Sequence, residues 1–199
     1  MARLTKTSSN EEILAVLNET AEAVSVVLRA NKDWSLSGLR DTQYSVDLRA
    51  DSAALEVLHG AGVAVLSEES EITGTFGDDD LCVVMDPLDG STNASRGVQW
   101  FATALCAIDK NGMRAGLVVN QANGIDRYWA TTGGGAFHNG VAMRPSACVD
   151  LSEAVKQAEE KAAFDEVKVR QLKQAIESGN YPLDSRKMAE SFVELERLL

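Results

Sequence analysis

Basic residues are in short supply in this chain. Its 199 residues include 19 Lys and Arg against 30 Asp and Glu, so the formal net charge is −11 at pH 7. A surface with this sign of charge repels phosphate backbones and acidic lipid headgroups. The composition therefore argues against non-specific binding to nucleic acid or to an acidic membrane.

Cysteine is scarce as well, and long apolar runs are absent. The three cysteines, Cys82, Cys106 and Cys148, show no metal-ligand spacing, and their odd number argues against a disulfide framework. The N-terminal stretch MARLTKTSSNEE lacks the apolar segment of a secretory signal, and no run is long enough to span a bilayer. We therefore predict reduced thiols and a cytoplasmic location.

Two helices are predicted at the start of the chain. Ser9 and Glu12 have the spacing of a capping box, and apolar residues recur behind them at helical intervals as far as about Ala30. A second helix is predicted over Val46–His59, with glycines at its end. Hydrophobic residues make up 45% of the sequence, which is enough for a core, and the length favours one domain or one domain with an appendage.

Short apolar runs separated by turn signals predict strands up to Pro145. The strands are expected at Val63–Leu66, Leu81–Met85, Phe101–Asp109, Met113–Val119, Arg127–Thr131 and near Ala136–His138. Asn111-Gly112 is a strong hairpin signal between two of them. Two helices followed by mostly antiparallel strands indicate an α+β fold.

The character of the sequence changes at about Leu151, where glycine nearly vanishes and helix-forming residues dominate. Leu151–Ala163 and Asp165–Ser178 are predicted as helices, and Asp184 is predicted to cap a third. The expected organisation is therefore a domain over residues 1–147, a helical linker over 148–164 and a helical tail over 165–199.

The most informative segment is DPLDGSTN at Asp86–Asn93. It places two carboxylates three residues apart and follows them with glycine, hydroxyl and amide residues, while LSEES at Leu66–Ser70 supplies a second acidic pair. Carboxylate oxygens are the ligands that Mg²⁺ prefers. Gly90 permits a close backbone approach, and the amides of Ser91–Asn93 could begin a helix and hold an anion. The pattern indicates phosphate ester chemistry assisted by a metal.

The plainer alternative is that DPLDGSTN forms a solvated turn, because Asp-Pro and Asp-Gly are common turn dipeptides. The motif follows a buried apolar strand, however, and a second acidic pair follows another such strand. Ser-Thr-Asn also serves little purpose in an ordinary turn. These features favour the functional interpretation.

LSEES followed by DPLDGSTN resembles the inositol monophosphatase family of Mg²⁺-dependent phosphatases. Asp47–Glu56 is similar to the family's helical segment before the acidic loop, and Gly133–Gly140 resembles its glycine-rich hairpin. The similarity covers about residues 9–147. It implies the N-terminal half of a layered sandwich in which two helices pack on a largely antiparallel sheet.

The resemblance also implies roles for single residues. Glu68 and Asp86, with the carbonyl of Leu88, would bind one metal ion, and Asp86 and Asp89 would bind a second. Ser91 would orient the attacking water, with its hydroxyl polarised by Asp51. Phosphate would be held at the turn, by Gly90, Ser91 and Thr92.

One feature of the family has no counterpart here. The three tryptophans, Trp34, Trp100 and Trp129, are followed by Ser35, Phe101 and Ala130, so the sequence contains no Trp-Asp pair to supply the last ligand of the second metal. The resemblance therefore implies a truncated domain with an impaired site.

The tail resembles a different family, the flagellar anti-sigma factors of the FlgM type. The similarity lies in VKVRQLKQAIESGNYPLDSRKMAESFVEL and implies helices that order on the flagellar sigma factor. The residues expected to contact such a partner are Val169, Leu172, Ile176, Met188, Phe192 and Leu195.

Three functions therefore remain open. The first is a Mg²⁺-dependent phosphomonoesterase for inositol or sugar phosphates, and the second is an anti-sigma regulator with an inert phosphatase part. The third is a non-functional fusion. A homo-oligomer is a further possibility, because a truncated domain would expose apolar surface.

Overall fold

The structure is a computed structural model that describes residues 3–74 and 81–145, together with the isolated positions 150, 152, 155, 156 and 174. The chain divides into two compact units, Met1–Arg144 and Pro145–Leu199. Apart from the isolated positions, the helices predicted after Leu151 lie outside the described residues, as do all six residues predicted to contact a sigma factor. The predicted boundaries at 147 and 164 stay predictions.

Two helices open the first unit, as predicted. Helix α1 spans Asn10–Ala30 and begins with the capping box, in which the Ser9 hydroxyl accepts from the Glu12 amide and the Glu12 carboxylate accepts from the Ser9 amide. Helix α2 spans Ser45–Gly60. Its first turn is tied down by Asp47, whose Oδ2 accepts the Tyr44 amide at 2.8 Å.

Eight strands follow within the described residues. They are β1 (Ala64–Ser67), β2 (Glu71–Thr73), β3 (Cys82–Asp89), β4 (Ala102–Asp109), β5 (Gly112–Asn120), β6 (Arg127–Thr131), β7 (Gly135–His138) and β8 (Val141–Met143). A short helix, α3 (Ser91–Ser95), lies between β3 and β4. Sequence reasoning missed β2 and β8, because each has only three residues and little hydrophobic pattern.

The strands form one mixed sheet in the order β2-β1-β3-β4-β5-β6-β7-β8. Among the described strands, β1 and β3 pair in parallel and every other neighbouring pair is antiparallel. The predicted α+β fold with helices on a largely antiparallel sheet is therefore confirmed. The parallel pair matters for the site, because the two strands that end in carboxylates run in the same direction.

The core lies between the two long helices and one face of the sheet. Ile13, Leu17 and Leu58 from the helices are fully buried, and Val83 and Leu117 from the sheet are buried with them. The opposite face of the same sheet carries an open apolar groove of about 650 Å³, lined by β3, β4, β5, β6 and β7 residues and by Met143.

Candidate active site

The acidic residues meet where β1 and β3 end. Because the two strands are parallel, their carboxyl ends lie at the same edge of the sheet, with Ser67 opposite Met85. The Glu68 amide continues this pairing by donating to the Met85 carbonyl at 3.1 Å. Glu68 therefore comes beside Asp86.

A bulge in β3 brings Asp86 and Asp89 to one face of the sheet. Residues three apart in a regular strand face opposite sides. Here Asp86 pairs with Ala104 and Asp89 with Ala102, so one extra residue on β3 is absorbed between the two pairs. Because Ala104 and Ala102 share a face, the two aspartates opposite them share it as well. We call this feature the β3 bulge.

The electrostatics of Asp86 reflect this convergence. Burial, a hydrogen bond with Glu68 and the negative charges of Glu68 and Asp89 raise the pKa of the Asp86 carboxyl to about 7. The Leu88 amide, which donates to Asp86 Oδ1 at 3.0 Å, acts in the opposite direction. At this site protons or cations are needed to offset crowded negative charge.

The acidic residues could hold a divalent cation only together with other ligands. Within the part of the chain that the structure describes, no group of three or more His, Cys, Asp or Glu side chains could by itself hold a metal ion. Mg²⁺ does not require such a cage, because it keeps several waters and is usually bound by one or two carboxylates together with substrate phosphate. Asp86 and Glu68, whose side chains lie within hydrogen-bond reach of each other, fit that requirement.

The turn after the bulge is tight. Gly90 has a φ of +83°, and a Cβ at this position would lie 2.9 Å from the Trp100 carbonyl oxygen, so glycine is required here. The turn leads directly into α3, whose first residue is Ser91. The three residues predicted to hold phosphate, Gly90, Ser91 and Thr92, therefore follow directly on Asp89.

The two buried aspartates of α2, Asp51 and Asp47, have different surroundings. Asp51 accepts a hydrogen bond from the Ser67 hydroxyl at 2.5 Å and so supports the end of β1. Asp47 is the other buried aspartate of α2; burial raises the pKa of its carboxyl, and the Ser91 hydroxyl opposes that rise.

Asp47 is a functional candidate that sequence reasoning did not single out. Its side chain is buried, and burial together with the charges of Glu69 and Glu68 raises its pKa to about 6. Its Oδ1 has no hydrogen-bond partner of good geometry. The available signal was the segment DLRAD, in which either aspartate could have faced the site.

A loop expected to be merely polar also contacts the acidic residues. Arg40 donates to the carbonyl oxygens of Glu68 at 2.7 Å and Glu69 at 3.1 Å. The buried Gln43 donates to the Glu69 carboxylate. The Arg40 contacts hold the backbone of the acidic segment, and the Gln43 contact holds the Glu69 side chain. No local sequence pattern predicts these contacts.

The fold and the site together define a phosphatase-like α+β domain with an acidic centre. A sequence model of the inositol monophosphatase family matches residues 7–194, so the chain belongs to that family. Phosphatases of this family are generally metal-dependent.

Similar proteins support the assignment. The chain is 37% identical over 110 residues to a fructose-1,6-bisphosphatase/inositol-1-monophosphatase of Archaeoglobus fulgidus. The aligned region covers 54% of this chain and 42% of that protein. It is 32% identical over 168 residues to the chloroplastic phosphatase IMPL1 of Arabidopsis thaliana. That aligned region covers 79% of this chain and 44% of that protein. The chain thus spans about half the length of the curated relatives it matches.

Solved structures show the same fold. The extragenic suppressor protein SuhB of Bartonella henselae superposes with a TM-score of 0.59 at 29% identity, covering 69% of this chain and 55% of that one. An inositol monophosphatase from Anabaena superposes with a TM-score of 0.58 at 22% identity, covering 71% of this chain and 52% of that one.

These comparisons correct two expectations. The family match runs to residue 194, well beyond the limit of 147 set by the resemblance, and so extends across the tail. They give no support to an anti-sigma segment or to a fusion. Separately, none of the described helices has the length and apolar character needed to cross a membrane.

Proposed function

We propose that this protein is a metal-dependent phosphomonoesterase that acts on small phosphorylated alcohols of the inositol or sugar phosphate class. The observation that carries the proposal is the convergence of Glu68, Asp86 and Asp89 at the edge of the sheet, directly before the turn into α3. A phosphate ester would be repelled by such a centre unless cations were bound with it.

Mg²⁺ is the proposed cation, held by Glu68, Asp86, the Leu88 carbonyl and Asp89. When bound, it supplies a water of lowered pKa and a counter-charge for the phosphoryl and leaving oxygens. The substrate phosphate is proposed to lie at Gly90, Ser91 and Thr92. The names of the phosphatase relatives support this class of substrate for this chain.

Ser91 and Asp47 are proposed to orient the attacking water. The Ser91 hydroxyl can accept a proton from water while donating its own to Asp47, which makes the carboxylate the final acceptor in this pair. Glu68 is proposed to act from the metal side, as a ligand of Mg²⁺ beside Asp86. Asp51 is proposed to act indirectly, by holding Ser67 at the end of β1.

Phosphate release from a panel of inositol and sugar phosphates, with and without Mg²⁺, tests the proposal. We expect Mg²⁺-dependent release from at least one ester, and loss of release in Asp86→Asn. The matched control is Asp41→Asn, because Asp41 is an exposed loop residue. Release without metal, or release unaffected by Asp86→Asn, would contradict the proposed mechanism.

The anti-sigma function is not proposed, because no observation favours it over the family match that includes the tail. An inert fusion would release no phosphate from any ester of the panel, so the same experiment addresses it.

A further inference from the structure

The β3 bulge leaves backbone groups that the sheet cannot satisfy. Pro87 has no amide hydrogen to donate, and its carbonyl lies between the two pairs at which the register shifts. The structure fills the gap with a side chain: the Thr103 hydroxyl donates to the Pro87 carbonyl at 2.8 Å. A buried carbonyl without this donor would incur a desolvation cost of about 1–3 kcal/mol.

Thr103 is held in this orientation from the core side. It is fully buried on β4 and accepts from Gln121 Nε2 at 2.9 Å. The same amide nitrogen donates to the Ala21 carbonyl at 3.2 Å, and the Gln121 side-chain oxygen accepts from the Ser25 hydroxyl. Because the Ala21 carbonyl can only accept, its contact fixes the orientation of the amide.

The direction of the Thr103 hydroxyl follows from this arrangement. An amide nitrogen can only donate, so the Thr103 oxygen is its acceptor. The single hydroxyl proton is then committed to Pro87. A chain of hydrogen bonds therefore runs from the Ala21 carbonyl of α1, through Gln121 and Thr103, to the backbone of the segment that carries Asp86 and Asp89.

We propose that Thr103 is a positioning residue that holds the β3 bulge in the form that brings Asp86 and Asp89 to one face. The proposal rests on the proposed function, since it concerns the same carboxylates. Thr103 touches neither substrate nor metal in this scheme. It acts through the Pro87 carbonyl.

Two substitutions separate the hydroxyl from the shape of the side chain. Thr103→Val keeps the shape and removes the donor, whereas Thr103→Ser keeps the donor and removes a methyl group. The affinity for Mg²⁺ alone is measured by calorimetry, together with the melting temperature. We expect Thr103→Val to lose about 10- to 100-fold in Mg²⁺ affinity, as for other supporting contacts of metal ligands, and Thr103→Ser to stay near the parent value.

Thr20→Val is the matched structural control. Thr20 is also fully buried, and its hydroxyl donates to the Val16 carbonyl within α1 at 2.9 Å. Its loss should leave Mg²⁺ affinity unchanged. If Thr103→Val does not fold, Gln121→Met serves instead, because it removes the donor that orients Thr103 and should lower the affinity in the same direction.

A second readout needs no metal. The Leu88 amide lies in the β3 bulge, and its hydrogen exchange can be followed by NMR in the metal-free protein. Exchange should become faster in Thr103→Val and remain unchanged in Thr103→Ser and Thr20→Val. If exchange and Mg²⁺ affinity are both unchanged in Thr103→Val, the proposal is wrong. If the parent chain binds no Mg²⁺, the proposed function fails, and the exchange of Leu88 still decides the role of Thr103.

Discussion

The charge of a single carboxyl, that of Asp86, links stability to pH. The pKa of Asp86 is about 7 in the folded chain against an ordinary value of 3.8. At a pH between these two pKa values, the folded chain binds more protons than the unfolded chain. The free energy of unfolding therefore falls as pH rises from about 4 to about 7. Above pH 7 the folded protein bears the full cost of the ionised group.

Asp86→Asn removes this titration, because the amide is neutral at every pH. In the metal-free protein we expect the variant to melt above the parent chain at pH 8 and close to it at pH 5. Added Mg²⁺ should raise the melting temperature of the parent only. At a Mg²⁺ concentration of 100 times the dissociation constant, the free energy of unfolding of the parent should rise by about 2.7 kcal/mol. Parallel pH curves for the two proteins, or no response of the parent to Mg²⁺, would contradict this.

The two aspartates of α2 offer a second test at this scale. Asp47→Asn should lower the rate of phosphate release by about 100-fold or more, the usual scale for a lost proton acceptor, with little change in Mg²⁺ affinity. Asp51→Asn should keep most of the rate, because its amide oxygen can still accept from Ser67. Comparing kcat and the Mg²⁺ dissociation constant for both variants checks this. The reverse order would return Asp51 to the role that the resemblance implied.

At the scale of helices and strands, the sequence predicted the geometry correctly where residues close in sequence determine it. The capping box of α1 and the Asn111-Gly112 turn between β4 and β5 both depend on residues a few positions apart, and both were predictable. The β3 bulge was not, since its register is fixed by pairing with β4 and by a hydroxyl 16 residues away. The choice between Asp47 and Asp51 as the partner of Ser91 stays a prediction for a related reason: the sequence alone does not distinguish two acids four residues apart on one helix.

The cap of α1 gives a prediction for an element as a whole. Ser9→Ala removes the hydroxyl that accepts the Glu12 amide at 3.2 Å, and such a loss typically costs about 1 kcal/mol of stability. Chemical denaturation should show that loss with an unchanged m-value, and Mg²⁺ affinity should stay unchanged, because the residues that flank the cap contact Arg114 and Thr132 rather than the acidic centre. Ser9→Asp should restore the stability, since aspartate is an equally good N-cap. A variant that loses metal affinity together with stability would show that the cap and the site are coupled.

At the scale of the whole molecule, the unit Met1–Arg144 presents an apolar sheet face. The groove on this face is lined by Val118, Tyr128 and Met143, whose side chains remain 41%, 39% and 45% exposed. Apolar patches of this kind favour association. We therefore expect the full chain to self-associate in light scattering or to bind an apolar dye.

A pair of charge substitutions locates the responsible surface. Val118→Lys places a charge in the groove and should reduce association and dye binding, because burying an unpaired charge is strongly unfavourable. Val26→Lys is the control: Val26 is 60% exposed on α1, away from the groove residues, and its replacement should change neither. A parent chain that is monomeric and binds no dye would show that this face is not available in solution. Equal effects of the two lysines would mean that net charge, rather than the groove, controls association, since each changes the net charge from −11 to about −10.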